Sequence, residues 1–362
     1  MKIVSVVGAR PQFIKAAPVS KAFKKAGHNE ILVHTGQHYD YGMSQVFFDE
    51  LNISEPGMNL EVGSGHHGWQ TGQMLMRIEE VLLREEPDWV LVYGDTNSTL
   101  AGALAAAKLQ IRLAHIEAGL RSFNREMPEE HNRVLTDHCS DVLFCPTQTA
   151  VDNLAKEGIT RGVNLVGDTM YDAVLQFSEI AKGHSAILQA LGLKTKEYLL
   201  VTLHRPYNTD IPENLRSILD ALLEIDKPIV FSVHPRTRER IAALDGLAKS
   251  QLESSSVRVL DPVGYLDMLM LEQHARLVLT DSGGMQKEAY FFGVPCITLR
   301  PETEWVETVE AGWNVVVGSN PTLIVEKVRN FQPPPQSQRR VFGNGHASEL
   351  IVRALEHIGQ AL

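Results

Sequence analysis

Residues 89–108 read WVLVYGDTNSTLAGALAAAK and contain one complete unit of chain organisation. Trp89–Tyr93 is a short β-rich apolar run, Gly94-Asp95-Thr96-Asn97 is turn-forming, and Ser98–Lys108 has helical periodicity. The same order recurs on both sides. Upstream, the expected strands are Ile3–Val7 and Glu30–His34, with amphipathic helices at Gln12–Lys25 and Trp69–Arg84. Downstream come the strands Leu113–Ile116, Val142–Phe144 and Val163–Val166. The rhythm then restarts with Tyr198–Thr202, Ile229–Val233, Val257–Leu260, Leu277–Leu279, Cys296–Thr298 and Asn314–Val316. Strands alternating with helices imply parallel sheets joined by right-handed crossovers.

A length of 362 residues suits two domains rather than one core. The expected division is an N-terminal Rossmann-like domain over 1–167 and a C-terminal one over 168–345. A polar, proline-rich segment, Gln332–Arg340, precedes a last helix at Ala347–Ile358, and residues 346–362 are expected to return to the first domain. The fold class is therefore α/β, with two Rossmann-like domains and an active-site cleft between them. In such sheets ligands sit beyond the carboxyl ends of the strands. The net charge of −10 argues against nucleic acid or an anionic membrane surface as partner. No apolar run is long enough to span a bilayer, and the start does not read as a signal peptide, so the expected location is cytoplasmic. The three cysteines form no CxxC pair and the fourteen histidines are scattered, so neither a disulfide framework nor a metal site is expected.

The motifs that carry chemistry follow the strands. After the first comes Gly8-Ala9-Arg10-Pro11-Gln12-Phe13-Ile14-Lys15, a tight turn into a helix N-terminus with two cations. Such a terminus carries about half a positive charge and suits a phosphate or a sugar hydroxyl; a solvated arginine at a turn is the plain alternative. Asp95 either caps the next helix or serves chemistry. Glu117 leaves a strand in His115-Ile116-Glu117-Ala118-Gly119-Leu120-Arg121, and Glu129 and Glu130 start a helix in Met127-Pro128-Glu129-Glu130-His131-Asn132-Arg133. Acidic first turns are routine, but three acidic residues meeting at one sheet edge suggest use. In the second half, His204 and Arg205 follow a strand, His204 being read either as a packed core residue or as a site group. Thr280-Asp281-Ser282-Gly283-Gly284 opens a helix where small residues allow backbone to approach a diphosphate. Glu288, farther along that helix, either accepts both hydroxyls of a ribose or decorates the surface. Asp261–Leu266, ending in Tyr265 and Leu266, is either a pocket for a base or an ordinary loop.

Taken together, GARPQFIK (8–15), VYGDTNSTLAGALAA (92–106), HIEAGLRSFN (115–124), MPEEHNR (127–133), LHR (203–205) and LTDSGGMQKEA (279–289) resemble the non-hydrolysing UDP-N-acetylglucosamine (UDP-GlcNAc) 2-epimerases over essentially the whole chain. The resemblance implies a glycosyltransferase-B type fold, an isomerase, a UDP-sugar substrate, a homodimer and no cofactor. It implies that Ser282, Gly283 and Gly284 hold the diphosphate and Glu288 the ribose. Arg10 and His204 would meet phosphate or sugar, with Arg133, Arg205, Tyr265 and Leu266 as further substrate contacts. Lys15, Asp95, Glu117 and Glu129 match the positions associated with catalysis, His204 being counted with them. The reaction so implied is anti elimination of UDP to a 2-acetamidoglucal and re-addition with the opposite configuration at C2. It needs one group to take a proton and another to return it on the other face.

The chain departs from the commonest family pattern in places. The histidine-arginine pair is followed by Pro206-Tyr207-Asn208 in place of glutamate and then asparagine or serine. Gln73 stands where the family's allosteric site has an arginine, although Gln37 and His38 match a neighbouring pair. His34–Asp40 and Thr303–Glu307 (TEWVE in place of TERPE) resemble the branch acting on UDP-2,3-diacetamido-2,3-dideoxyglucuronic acid. UDP-GlcNAc ranks first as the family's commonest substrate and the diacetamido-uronate second. A glycosyltransferase of the same architecture is the third reading, but it has no use for several carboxylates around C2.

Overall fold

The computed structural model describes residues 1–36, 56–244, 256–335 and 341–360. The chain divides into two compact units, Met1–Gln176 with Arg340–Leu362, and Phe177–Arg339. The first holds strands β1 (Lys2–Val7), β2 (Asn29–His34), β3 (Met58–Asn59), β4 (Trp89–Tyr93), β5 (Arg112–Ile116), β6 (Val142–Cys145) and β7 (Val163–Leu165). They form one parallel sheet in the order β3-β2-β1-β4-β5-β6-β7. The second holds β8 (Leu199–Leu203), β9 (Ile229–Val233), β10 (Val257–Leu260), β11 (Leu277–Thr280), β12 (Cys296–Thr298) and β13 (Asn314–Val316). These are also all parallel, in the order β10-β9-β8-β11-β12-β13.

Every residue of β4, β8 and β9 is buried, as expected of strands covered by helices on both faces. In the second unit, Leu199, Val201 and Leu203 of β8 pack with Leu215, Ile218 and Leu222 of the helix Pro212–Glu224. Tyr198 and Leu200 point the other way and join Leu271, Ala275 and Ala289. In the first unit, Val4 and Val6 meet Met74, Ile78 and the alanines of the helix Asn97–Lys108. Gly102 permits that helix to lie close to the sheet, since a Cβ there would come within 2.9 Å of Val92 Cγ1.

In each sheet the winding reverses beside the first strand, between β1 and β4 and between β8 and β11. Loops leaving such a pair diverge and open a crevice at the carboxyl edge. Gly8–Arg10 and Gly94–Asp95 leave β1 and β4; His204–Arg205 and Ser282–Gly284 leave β8 and β11. Every site residue singled out from the sequence thus falls at or near the carboxyl edge of one sheet or the other.

Two boundaries and one strand differ from the sequence reading. The first unit runs to Gln176, in the middle of the helix Thr169–His184, rather than ending at 167. It resumes at Arg340 rather than 346, and the last helix, Ala347–Gln360, packs on the helix Arg10–Lys25. Asp172 explains the association: its carboxyl accepts the Ala347 and Ser348 N–H groups at 3.1 and 2.7 Å and so caps that helix. The third difference is β3, two residues long and too short to leave a periodic signal. Gln37 and His38 lie outside the described residues, as does the end of the proline-rich segment.

Gly119 shows how tightly the first unit's loops are seated. It has φ +79°, and a Cβ there would lie 2.4 Å from the Ala150 carbonyl oxygen. Gly119→Ala is expected to destabilise the first unit by about 2–4 kcal/mol, seen as a lower urea midpoint; an unchanged midpoint would show that the loop yields.

Candidate functional site

In the first unit the turn after β1 is built around Gln12. Its carbonyl oxygen accepts the Gly8 and Ala9 N–H groups at 2.8 and 3.0 Å, and its amide donates to the Tyr93 carbonyl at 2.7 Å. The sequence reading offered this turn's N–H groups to a phosphate, but two of them are taken by Gln12. Gly8 is required for a different reason: a Cβ would sit 2.1 Å from Ser98 Oγ and 2.2 Å from Thr35 Oγ1. What this turn presents outward is the Arg10 side chain, which is exposed.

Lys15 reaches across from the same helix to pair with Glu117, both side chains being largely buried. Glu117 adopts φ +71°, a left-handed conformation that a non-glycine residue occupies only when its surroundings enforce it. They do so here: its own N–H and that of Ala118 both donate to the Phe144 carbonyl at the end of β6. Gly94 makes room for the pair, since a Cβ there would stand 3.2 Å from Glu117 Oε2 and 3.8 Å from Lys15 Nζ. Asp95 follows immediately. Its Oδ2 accepts from Arg133 Nε and Nη2 at 3.0 and 2.7 Å, and its carbonyl accepts from Asn132 at 2.9 Å. Lys15, Glu117, Asp95 and Arg133 are therefore brought together. Glu129, half-buried on the first turn of the helix Pro128–Cys139, has no hydrogen-bond or ion-pair partner among the described residues.

Three residues that sequence reasoning passed over hold this arrangement. Glu130 accepts from the Ser122 and Phe123 N–H groups and from Arg133. Burial opposes its charge, but these donors outweigh burial and keep its carboxyl below the usual range. Asp137, fully buried, accepts from His115 Nδ1 at 2.7 Å, pairs with Arg121 at 2.7 Å and takes the Gly119 N–H at 3.2 Å. His115 Nε2 in turn meets the Gly94 carbonyl at 2.7 Å. Through these two contacts the His115 ring links Asp137 to the turn that bears Asp95. His115 and Glu130 stand in the motifs His115–Arg121 and Met127–Arg133, but Asp137 lies beyond both, and nothing in one dimension separates holders from users.

In the second unit His204 stands at the end of β8 with its side chain part-exposed, and its Nδ1 meets Asp281 Oδ1 at 2.8 Å. Asp281 is fully buried. It also accepts the His204 and Arg205 N–H groups at 3.1 and 3.0 Å and the Asn208 amide at 2.9 Å. Burial works against its ionisation, but His204, Asn208 and the Arg205 N–H hold it below the usual aspartate value of 3.8. Asn208, part of the departure from the family pattern, is buried and also donates to the Leu299 carbonyl at 2.7 Å. The Arg205 Nε is buried with no acceptor among the described residues.

Ser282 caps the helix Gly283–Phe292. The space beside Gly283 is used by the protein, a Cβ there lying 2.3 Å from Glu304 Oε1 and 3.2 Å from Trp305 Nε1. Gly284 is exposed, and a Cβ would meet nothing nearer than Ser282 Oγ at 3.8 Å. First-turn N–H groups of a helix have no intrahelical partner, so an anion finds donors here. Glu288 is buried and accepts the Tyr265 hydroxyl at 2.8 Å. Tyr265 and Leu266 open the helix Tyr265–His274 with buried side chains. Lys287, also buried, lies over the Trp305 ring at 3.9 Å. Among the described residues no three His, Cys, Asp or Glu side chains are placed to hold a metal ion, and no helix is long and apolar enough to cross a membrane.

Two such sheets, each with its motif-bearing loops at the switch point, are matched by known proteins. The family model described as UDP-N-acetylglucosamine 2-epimerase matches residues 21–356. The chain belongs to the UDP-GlcNAc 2-epimerase family. The solved structure of the Methanocaldococcus jannaschii UDP-GlcNAc 2-epimerase in complex with UDP-GlcNAc and UDP is 47% identical, with TM-score 0.86, covering 99% of this chain and 100% of that one. A UDP-GlcNAc 2-epimerase homolog of Methanococcus maripaludis is 55% identical, covering 99% of this chain and all of the relative. The UDP-2,3-diacetamido-2,3-dideoxy-D-glucuronate 2-epimerase of Pseudomonas aeruginosa is 53% identical, covering 98% of this chain and 99% of the relative. The fold is accordingly the two-domain, glycosyltransferase-B type α/β fold of these epimerases.

Asp281 yields a prediction with a defined sign. Its folded-state pKa is depressed, so the stability it contributes is full above 3.8 and is lost as pH falls below that value. Asp281→Asn is expected to cost about 3 kcal/mol or more at neutral pH, and the difference from the native chain should shrink as the pH is lowered. Urea titrations across the acidic range check this; a difference independent of pH would show that the aspartate charge is not what matters.

Proposed function

We propose that this chain interconverts UDP-GlcNAc and its C2 epimer UDP-ManNAc. The proton at sugar C2 is not acidic enough for direct exchange, so inversion proceeds by elimination. The C2–H bond breaks and its proton passes to a protein base. The bond from C1 to the UDP oxygen breaks with it, giving UDP and 2-acetamidoglucal. Re-addition forms the C1–O bond again and returns a proton to C2 on the opposite face. Two faces require more than one proton-carrying group. The observation that carries this reading is the pair Asp95 and Glu117 brought together at the ends of β4 and β5, with Glu129 on the first turn of the helix that also bears Arg133, in a member of this family. Among the described residues Glu129 is the one carboxylate of the three with no cation or donor to satisfy it before substrate arrives. Arg133 and Lys15 hold the other two in place.

Nucleotide holding is assigned to the second unit. The first-turn N–H groups at Gly283 and Gly284 face the diphosphate, where negative charge develops as UDP departs. Arg10, His204 and Arg205 add positive charge for phosphate or sugar, the unpaired Arg205 Nε fitting such an anion. Glu288 accepts from the ribose, and Tyr265 and Leu266 contribute to holding the base. A cytoplasmic homodimer belongs to the same reading, and light scattering on the purified protein tests the dimer.

A second substrate has a specific observation in its favour. Trp305 replaces the usual arginine beside the nucleotide turn and stacks on Lys287, and a relative with the diacetamido-uronate activity is 53% identical. Proton NMR in D₂O, with each UDP-sugar alone and no acceptor, decides between them. The manno epimer carrying deuterium at C2 is the expected product, and the faster substrate identifies the branch. No epimer from either would overturn the proposal in favour of transfer to an acceptor.

In the same assay Asp95→Asn and Glu129→Gln are each expected to reduce turnover by roughly 10²–10⁴ with UDP affinity kept. Unchanged turnover removes that residue from the mechanism. Gly284→Val should weaken UDP binding about tenfold or more without lowering thermal stability, because only ligand approach is blocked there. Intact affinity would place the diphosphate elsewhere.

A further inference from the structure

The helices Tyr265–His274 and Gly283–Phe292 pack together within the second unit. Tyr265 and Glu272 lie two turns apart on one face of the first helix. Glu288 projects from the second and accepts the Tyr265 hydroxyl at 2.8 Å. Glu272 is fully buried, and no N–H or O–H group of the described residues reaches either of its oxygens. Its hydrogen-bonding neighbour is the Glu288 carboxyl itself.

Two carboxyl groups in contact in an apolar interior cannot both be ionised, so the contact requires a proton between them. Glu288 has the Tyr265 hydroxyl to stabilise a charge, and Glu272 has nothing comparable. The proton therefore belongs to Glu272, which becomes the donor. Burial first, then the charge and hydrogen bond of Glu288, raise the Glu272 pKa well above the usual carboxylate range. The other titratable groups that feel Glu272 are Tyr198 and Cys296, both raised chiefly by burial and neutral at neutral pH.

We propose that Glu272 is a positioning residue for the nucleotide site: its carboxyl donates a hydrogen bond to Glu288 and, with Tyr265, fixes the orientation in which Glu288 meets the ribose hydroxyls. A carboxylate gripped by two donors from below cannot rotate, so it presents one geometry to a cis-diol. This rests on the assignment of Glu288 to the ribose.

The test is calorimetric binding of UDP and 2′-deoxy-UDP to the native chain and to the variants Glu288→Gln, Glu272→Gln and Glu272→Met. The native chain should prefer UDP, and Glu288→Gln should lose the preference. Glu272→Met, which removes the donor but fills the same volume with an apolar group, should fold and lose about tenfold of the preference. Glu272→Gln keeps an N–H donor and should retain it. Raising the pH should weaken UDP binding to the native chain as Glu272 ionises, and leave the Glu272→Gln variant unaffected.

No preference for UDP in the native chain would overturn the ribose assignment, and the proposal with it. A preference abolished by Glu288→Gln but untouched by Glu272→Met would leave the ribose assignment standing and refute the role of Glu272. Should Glu272→Met fail to fold, the pH profiles decide: identical profiles for the native chain and Glu272→Gln refute it.

Discussion

A buried carboxylate must find in the protein the donors it gives up in water, and in each unit one aspartate imposes this demand at the carboxyl edge of the sheet. Asp281 gathers the His204 and Arg205 N–H groups, the His204 ring and the Asn208 amide. Asp137 gathers His115, Arg121 and the Gly119 N–H. Any large shift of the loop after β8, or of the loop after β5, strands a charge in the interior. The loops that carry the site residues are thus held in one conformation by an interaction that itself touches no substrate.

The two units use the demand differently. In the second, the aspartate acts directly on a site residue, orienting the His204 ring. In the first it acts at one remove. Asp137 fixes the His115 ring, the ring meets the Gly94 carbonyl, and Gly94 leads into Asp95 while leaving space for Lys15 and Glu117. The left-handed backbone at Glu117 is sustained by the same framework through the Phe144 carbonyl. The geometry at both sheet edges is a property of loops made rigid by buried polar groups.

The glycines divide by a similar logic. Gly8 and Gly283 both sit in turns that the sequence reading offered to a phosphate, yet their missing side chains make way for Ser98 and Thr35, and for Glu304 and Trp305. Gly284 opens outward. Motif glycines thus serve internal packing in some turns and leave open space in others. Only the neighbours in space distinguish the two, because a glycine looks the same in sequence whichever atom fills the gap.

Strand positions, the parallel class, the restart of the pattern in the second half and the motif-bearing turns were legible because each depends on local periodicity and turn chemistry. The strands Trp89–Tyr93, Ile229–Val233, Val257–Leu260, Cys296–Thr298 and Asn314–Val316 were readable to the residue. The family was legible from six motifs in order. What the tertiary structure alone decided is which polar residues serve others. Gln12, Glu130 and Asp281 stood inside quoted motifs, and Asp137 just beyond one, but they acquired roles only through their partners in the fold. The division of the units within the helix Thr169–His184 was decided the same way, by side chains such as Asp172 capping a helix that begins at Ala347. Local sequence determines the conformations a segment can adopt. The satisfaction of a buried charge or hydrogen bond is a sum over partners, and only the folded chain brings those partners together.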